Sequence, residues 1–314
     1  MSGSSQASDL YARMGFIKNQ DGTITRDPTK PRGVRAPATP DPFPQVISKD
    51  FVVNHSKSTW MRVYVPTTAP YGGVSPKKLP LVVYYHGGGF IGQGFDLEPV
   101  HDFCNRLALQ SNAVIASASY RLAPEFKLPA AYDDGEDALI WIKYSADEEW
   151  IKSYADISNV FLMGSNAGGN LAYNVWLRPA VRELAPLRIR GLILHDPFFG
   201  GEKRCKSEIR NVNDKFLPPI LTDIWWNLCL PDGADRDHKY SNPTVGDDME
   251  KIGRLGWKAM VTGKVEGRAL IDRQRDVAKL MKEKGVDVVE GFTDDDVLAS
   301  IRTFIYSSAQ LRFF

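Results

Sequence analysis

Apolar residues follow two different spacings along this chain. Continuous apolar runs at 79–85 and 113–119 are typical of strands that are buried on both faces. Apolar residues three or four positions apart at 129–144 and 271–284 instead predict amphipathic helices. Because strands and helices of these kinds alternate, we expect a mostly parallel, doubly wound sheet with helices on both faces. Weaker patterns predict further strands at 160–164, 190–195, 257–262 and 286–292 and further helices at 100–111 and 297–309.

The segment before this alternating region has another pattern. Residues 51–53 and 60–65 predict two antiparallel strands joined by a polar turn at 54–58. Residues 1–45 are polar and become rich in proline, which predicts a short helix near Leu10–Ile17 followed by an extended arm. The composition of the arm fits either partial disorder or a lid that folds over a site.

Residues 201–245 form an irregular region with one tryptophan-rich helix around Trp225 and Trp226. We find no internal repeat and no linker between two cores. The sequence therefore predicts a single domain over 1–314, with a small cap built from about 1–45 and about 201–235.

Residues 160–172 combine an apolar strand, a glycine-rich turn and the first turn of a helix. This layout matches the G-x-S-x-G elbow, in which a sharp turn lifts a nucleophilic side chain above a parallel sheet. The central residue here is Asn166 and not a serine. A neighbouring base can activate a hydroxyl for attack, but it cannot activate a side-chain amide in the same way. The chain therefore keeps the turn and lacks the usual nucleophile.

Composition narrows the possible classes of function. The chain is 43% hydrophobic and 25% charged with a net charge of +1, so we expect no nucleic-acid or membrane partner. Three widely spaced cysteines indicate neither a disulfide framework nor a zinc site. The chain shows no signal-peptide pattern and no apolar run long enough to span a membrane, which predicts a cytoplasmic protein. Nothing in the pattern indicates a cofactor.

Four motifs occur in the order and spacing of a known family: His86–Gly89 (HGGG), Tyr120–Glu125 (YRLAPE), Pro129–Asp134 (PAAYDD) and Gly164–Asn170 (GSNAGGN). Over nearly its whole length the chain resembles the plant carboxylesterases of the hormone-sensitive-lipase-like α/β-hydrolases. The resemblance implies an α/β-hydrolase fold with a mostly parallel twisted sheet and a small helical cap. That branch also includes isoflavanone dehydratases, gibberellin receptors and alkaloid cyclases, so the fold does not decide the function.

The resemblance also implies where the parts of an esterase site would lie. The N–H groups of Gly88, Gly89 and Ala167 are expected to form an oxyanion hole, which stabilises negative charge on a substrate oxygen. The alternative for these residues is a merely tight loop. The nucleophile position is Asn166, and the neighbouring Ser165 would point elsewhere on such a turn.

The acid and base positions of the catalytic triad also carry unusual residues. Alignment on Ile271–Gln274 places Arg268 where the family has an aspartate, with Glu266 nearby as a conceivable substitute. Counting from the end of the last strand places Leu298 at the position of the histidine. The triad positions Asn166, Arg268 and Leu298 are thus all altered, which predicts the loss of ester hydrolysis.

Other side chains are candidates for proton transfer. Among the five histidines, His195 ends a predicted strand at the sheet edge where α/β proteins bind ligands, and the alternative is a structural histidine. A run of aspartates at 294–296 is typical of a solvated turn and lacks a calcium-loop pattern, so we expect no metal site. Our catalytic candidates are Asn166, His195 and Tyr120, with Tyr84, Asp196 and the 294–296 run as further proton carriers.

The expected ligand is an apolar or aromatic small molecule. Adjacent helical side chains point in different directions, so we expect at most one of Trp225 and Trp226 to line a cavity while the other packs in the core. The candidate ligand contacts are Phe90, Ser165, Trp225, Trp226 and Leu298.

Two main functions stay open at this stage. The first is a non-hydrolytic enzyme of plant specialised metabolism, of the cyclase, lyase or dehydratase, or isomerase type, that uses the oxyanion hole. The second is a receptor or binding protein without catalytic activity, which alone would imply a protein partner. Residual carboxylesterase activity through an unrecognised nucleophile is a weaker third hypothesis.

Overall fold

Strands and helices alternate through the computed structural model, which describes residues 10–38, 45–67, 78–145, 148–178, 181, 183–215, 217–245, 258–265, 268–293 and 295–307. The strands are β1 (Phe16–Lys18), β2 (Ile24–Arg26), β3 (Val46–Asn54), β4 (Thr59–Pro66), β5 (Leu79–Tyr85), β6 (Val114–Ala118), β7 (Ala155–Ser165), β8 (Ile189–His195), β9 (Lys258–Gly263) and β10 (Asp287–Phe292). The helices are α1 (Glu98–Ser111), α2 (Ala130–Tyr144), α3 (Glu149–Tyr154), α4 (Ala167–Trp176), α5 (Lys206–Arg210), α6 (Pro219–Cys229), α7 (Ile271–Glu283) and α8 (Leu298–Ser307).

The main sheet has eight strands in the order β10-β9-β8-β7-β5-β6-β4-β3. The strands from β10 to β6 are parallel to their neighbours, whereas β4 pairs antiparallel with both β6 and β3. The doubly wound sheet predicted from the hydrophobic pattern is confirmed. Its central strands β5, β7 and β8 end at one edge, where the turns after them meet.

The central strand β5 shows why the sheet needs helices on both faces. All of its residues are buried. Leu81 and Val83 face a core that includes apolar residues of α2 and α4, while Val82 and Tyr84 face a core with residues of α1 and α8. Burial of alternate side chains on opposite faces explains the continuous apolar run in the sequence.

The N-terminal arm is more structured than its composition suggests. The helix predicted over Leu10–Ile17 is wrong beyond its first turn, because Gly15 adopts a φ of 78° and the chain continues as strand β1. β1 and β2 then form a hairpin that the sequence did not predict. Arg26 fastens this hairpin to the body with hydrogen bonds to both carboxylate oxygens of Glu125. Residues 1–9 and 39–44 of the predicted arm lie outside the described residues.

The region predicted as irregular contains α5 in addition to the expected tryptophan-rich helix α6. Charged side chains hold it in place: Asp223 of α6 accepts hydrogen bonds from both Arg204 and Arg236. Glu208 of α5 is buried and pairs with Arg273 of α7 at 3.2 Å. That this region and the arm act together as a cap stays a prediction.

Candidate functional site

Backbone segments pack closely at the turn between β7 and α4, as its glycines predict. Asn166 stands between the strand and the helix with a φ of 52° and a ψ of −116°. A Cβ atom on Gly164 would lie 1.9 Å from the Gly168 carbonyl oxygen, and one on Gly168 would lie 1.9 Å from the Tyr85 carbonyl oxygen. Only glycine fits at both positions, and the packing they allow raises Asn166 above the ends of the strands.

The side-chain amide of Asn166 contacts the loop that follows β5. The backbone N–H of Gly89 donates a hydrogen bond to Asn166 Oδ1 at 3.2 Å. Because an N–H group needs an acceptor, this bond assigns the oxygen of the amide to the side of Gly89. The amide nitrogen Nδ2 has no hydrogen-bond partner within the described part of the chain.

The expected oxyanion loop has the backbone conformation that such a loop needs. Gly88 and Gly89 both have positive φ angles, of 107° and 62°. A Cβ on Gly89 would lie 2.4 Å from the ring of Trp225, so the loop and α6 are in close contact. One of the three expected donors, the Gly89 N–H, is engaged by Asn166. The N–H groups of Gly88 and Ala167 have no partner among the described residues.

Two adjoining cavities lie at the carboxyl edge of the sheet, and we call them together the cleft. The cavity next to Asn166 has a volume of about 420 Å³, and the cavity next to Leu298 has a volume of about 390 Å³. Both are lined by Phe103, Arg106 and His195. The first is also lined by Tyr84, Gly88, Gln93, Ser165, Asp196, Leu217 and Trp225, and the second by Thr262, Lys264, Asp295 and Asp296.

His195 lies at the junction of the two cavities. Its Nδ1 is 2.9 Å from Thr262 Oγ1, and its ring stacks on that of Phe103 with centroids 6.0 Å apart. Burial lowers the pKa of His195, and the charge of Lys264 adds to this effect, while Asp196 and Asp296 oppose it. His195 is therefore neutral at pH 7, and a neutral imidazole can accept a proton.

The position expected for the catalytic histidine is filled by an apolar side chain. Leu298 begins α8, is buried at 2% exposure, and donates its N–H to Asp296 Oδ1 at 3.0 Å. Arg268, at the expected acid position, is exposed after β9. Glu266, the suggested substitute for the acid, and Asp294, one of the candidate proton carriers, lie outside the described residues.

A sequence profile described as the alpha/beta hydrolase fold matches residues 82–295. The chain belongs to the α/β-hydrolase family. It is 55% identical to Carboxylesterase 20 of Arabidopsis thaliana over 98% of this chain and 99% of that protein. It is 32% identical to Gibberellin receptor GID1C of Arabidopsis thaliana over 90% of this chain and 82% of the receptor. An esterase from Pyrobaculum calidifontis superposes with a TM-score of 0.68 at 27% identity, covering 83% of this chain and 85% of the esterase.

Three candidate residues of this α/β-hydrolase do not line the cleft. The Tyr120 hydroxyl donates to the His86 carbonyl oxygen at 2.7 Å behind the loop, so its proton is already engaged. Phe90 is buried in the core at an edge of the Tyr120 ring. Trp226 stacks on Phe198 with centroids 4.4 Å apart. The structure thus separates the tryptophan pair as expected, with Trp225 at the cavity and Trp226 in the core.

The hydrophobic pattern and the motifs did not predict two further residues that line the cleft. Phe103 and Arg106 lie on α1 three positions apart and point toward the cleft from one helix face. The spacing was visible in the sequence, but the position of α1 beside the elbow was not.

Within the described residues, no group of histidine, cysteine or acidic side chains could hold a metal ion. No helix in this part of the chain is long and apolar enough to cross a membrane.

Proposed function

We propose that this carboxylesterase-like member of the α/β-hydrolase family no longer hydrolyses esters and holds a small molecule in its cleft. The observation that carries the proposal is the hydrogen bond from the Gly89 N–H to Asn166 Oδ1. The residue at the elbow therefore fills part of the expected oxyanion hole with its own amide. In an active esterase the same place receives the carbonyl oxygen of the substrate.

The other parts of the site support the loss of hydrolysis. A serine mechanism needs an imidazole beside the nucleophile and a carboxylate that orients the imidazole. Leu298 stands at the expected histidine position and is buried in the core. His195 is the histidine that lines the cleft, and its Nδ1 is engaged by the hydroxyl of Thr262.

The remaining polar groups favour a ligand that carries hydrogen-bond acceptors. Asn166 Nδ2 and the N–H groups of Gly88 and Ala167 are donors without partners among the described residues. Trp225 and Phe103 supply apolar walls. A small aromatic or terpenoid molecule with a carbonyl group satisfies both requirements.

The first test is hydrolysis of p-nitrophenyl acetate and p-nitrophenyl butyrate by the protein and by its Asn166→Ser variant. We expect negligible turnover by the parent protein. In Asn166→Ser the rate of hydrolysis should rise less than about tenfold, because no imidazole is in place beside the new hydroxyl. Ser165→Ala serves as the matched control for a hidden serine nucleophile. Rapid hydrolysis that is abolished by a serine-directed phosphonate would overturn the proposal.

A second candidate function is a non-hydrolytic cyclase, lyase or isomerase. The specific observation that favours it is the neutral, half-buried His195 at the wall of the cleft, since such a group can accept a proton from a bound substrate. Incubation with fractionated plant metabolites separates the two candidates. Thermal stabilisation without a new product supports binding alone, and a product of equal mass or of mass reduced by water, lost in His195→Gln, supports catalysis.

A further inference from the structure

A third cavity lies on the far side of the loop that carries Gly88 and Gly89. Its volume is about 570 Å³, which exceeds that of either cavity of the cleft. We call it the arginine groove. Arg32 and Arg35 of the N-terminal arm line it on one side, and Trp60, Arg121 and Phe126 of the body line it on the other. Nothing in the proposed function uses it.

Three arginines and three carboxylates line the arginine groove. Asp50 pairs with Arg62 at 2.6 Å, and Glu125 pairs with Arg26 at 2.9 Å. The third carboxylate in the lining, Asp96, pairs with Arg35 at 3.4 Å. Each lining carboxylate therefore already has an arginine partner.

Arg121 is also neutralised, because Asp134 lies 2.8 Å from its guanidinium group. Arg32 differs from the other arginines, since it has no ion pair or hydrogen bond among the described residues. Burial and the repulsion of Arg26 and Arg35 lower the pKa of Arg32, and the attraction of Glu125 opposes this effect. Arg32 therefore feels the charge of Glu125, but its guanidinium N–H groups have no direct acceptor among the described residues.

Aromatic surface lies beside this cation. Trp60 and Phe126 are 41% and 48% exposed, so both rings present apolar surface to the solvent. Arg121 covers the ring of Phe126 at 5.2 Å. A flat ring placed in the arginine groove would cover these exposed surfaces and exclude water from them.

We propose that the arginine groove is a second ligand site, which binds a small aromatic carboxylate. The planar guanidinium of Arg32 matches a carboxylate with two parallel hydrogen bonds. The ring of the ligand packs against Trp60 and Phe126. A cavity of this volume is within the range that accepts a small organic ligand. The ligand would bridge the arm and the body, since Arg32 belongs to the first and Trp60 to the second.

The proposal is tested by isothermal titration with trans-cinnamate. We expect saturable binding that weakens about tenfold or more in Arg32→Gln, because a charge-assisted bidentate contact is lost. Arg302→Gln, which removes an exposed arginine on α8, is the matched control and leaves the affinity unchanged. Because Arg32 has no partner among the described residues, Arg32→Gln should retain the melting temperature of the parent.

Ligand variants test the two parts of the proposed chemistry. Cinnamyl alcohol, which keeps the ring and lacks the charge, and inorganic phosphate, which keeps the charge and lacks the ring, should both bind more weakly. The proposal would be overturned if cinnamyl alcohol or phosphate bound as tightly as cinnamate, or if cinnamate showed no saturable binding. It would also be overturned if Arg32→Gln bound cinnamate with the affinity of the parent protein. Loss of cinnamate binding in Phe103→Ala, which alters the cleft and does not touch the arginine groove, would also overturn it by placing the ligand in the cleft.

Discussion

His86 is a buried residue whose protonation should be visible in the stability of the whole chain. Burial lowers the pKa of His86 to about 4, while its Nδ1 donates to the Gly87 carbonyl oxygen at 2.8 Å. The unfolded chain binds this proton near pH 6.5 and the folded chain only near pH 4. The free energy of unfolding should therefore fall as pH decreases through this window, by up to about 3 kcal/mol from this group.

The measurement is urea unfolding between pH 7 and pH 4.5. His86→Asn keeps a donor for the Gly87 carbonyl and removes the titrating group, so its stability should depend less steeply on pH than that of the parent. His55→Asn, in the exposed turn after β3, is the matched control. Parallel pH profiles for His86→Asn and the parent would contradict the assignment.

The sequence alone predicts that Asn166 occupies the elbow, but it does not predict the hydrogen bond that its side chain accepts from Gly89. A strand followed by the glycine-rich turn locates the elbow in the sequence alone. The bond between Asn166 Oδ1 and the Gly89 N–H joins positions 77 residues apart. It depends on how two loops meet at the sheet edge, which hydrophobic periodicity does not report.

At the scale of elements, α6 gives its adjacent tryptophans different roles. Trp226 is buried and stacks on Phe198, so Trp226→Ala should lower the free energy of unfolding by about 3–5 kcal/mol. Trp225 is partly exposed at the cleft, so Trp225→Ala should cost less than half as much. Urea unfolding of both variants measures the difference, and similar losses would show that Trp225 is also a core residue.

The joint between β7 and α4 has almost no space for an added methyl group. In Gly168→Ala the new Cβ would lie 1.9 Å from the Tyr85 carbonyl oxygen, which is backbone and cannot rotate away. We expect a loss of about 3 kcal/mol or more, or a failure to fold. Gly92→Ala, where the nearest atom would be 3.6 Å away, is the control and should change stability by less than about 1 kcal/mol. Equal stability of the two variants would refute the close packing.

Element boundaries show where sequence patterns succeed and fail. The long, regular elements β5, α2 and α7 fall within a residue or two of their predicted limits because their apolar spacing is unbroken. The short elements β1, β2, α3 and α5 were missed, since a turn or two of structure carries too few periodic positions to stand out. Their formation depends on contacts such as that between Glu208 and Arg273, which a local pattern does not contain.

At the scale of the whole molecule, the arm is attached to the body by a few specific contacts. Arg26 donates to Glu125 and also to the Ala123 carbonyl oxygen at 2.7 Å. The Trp225 Nε1–H group points at Met14 Sδ at 3.3 Å, which links the arm to α6. These contacts are separate from the main sheet, so the arm should open without global unfolding.

Arg26→Gln tests this attachment by hydrogen exchange. Amides of the β1–β2 hairpin should exchange about tenfold faster in the variant, since a partly buried bidentate pair is lost, while amides of β5 and β7 keep their protection. Lys127→Gln removes an ion pair with the exposed Asp232 that does not involve the arm, and it should leave the hairpin unchanged. Unaltered hairpin exchange in Arg26→Gln would mean that other contacts hold the arm.

Gln93 lines both the cleft and the arginine groove, so the loop to which it belongs is a wall shared by two separate sites. Occupancy on one side can change affinity on the other through this shared wall or through the arm. Thermodynamic linkage then requires the effect to be reciprocal, with the same factor in both directions. A titration of one ligand at fixed saturation of the other measures that factor. A value of one would show that the two ligands bind independently and that the loop transmits no effect between the sites.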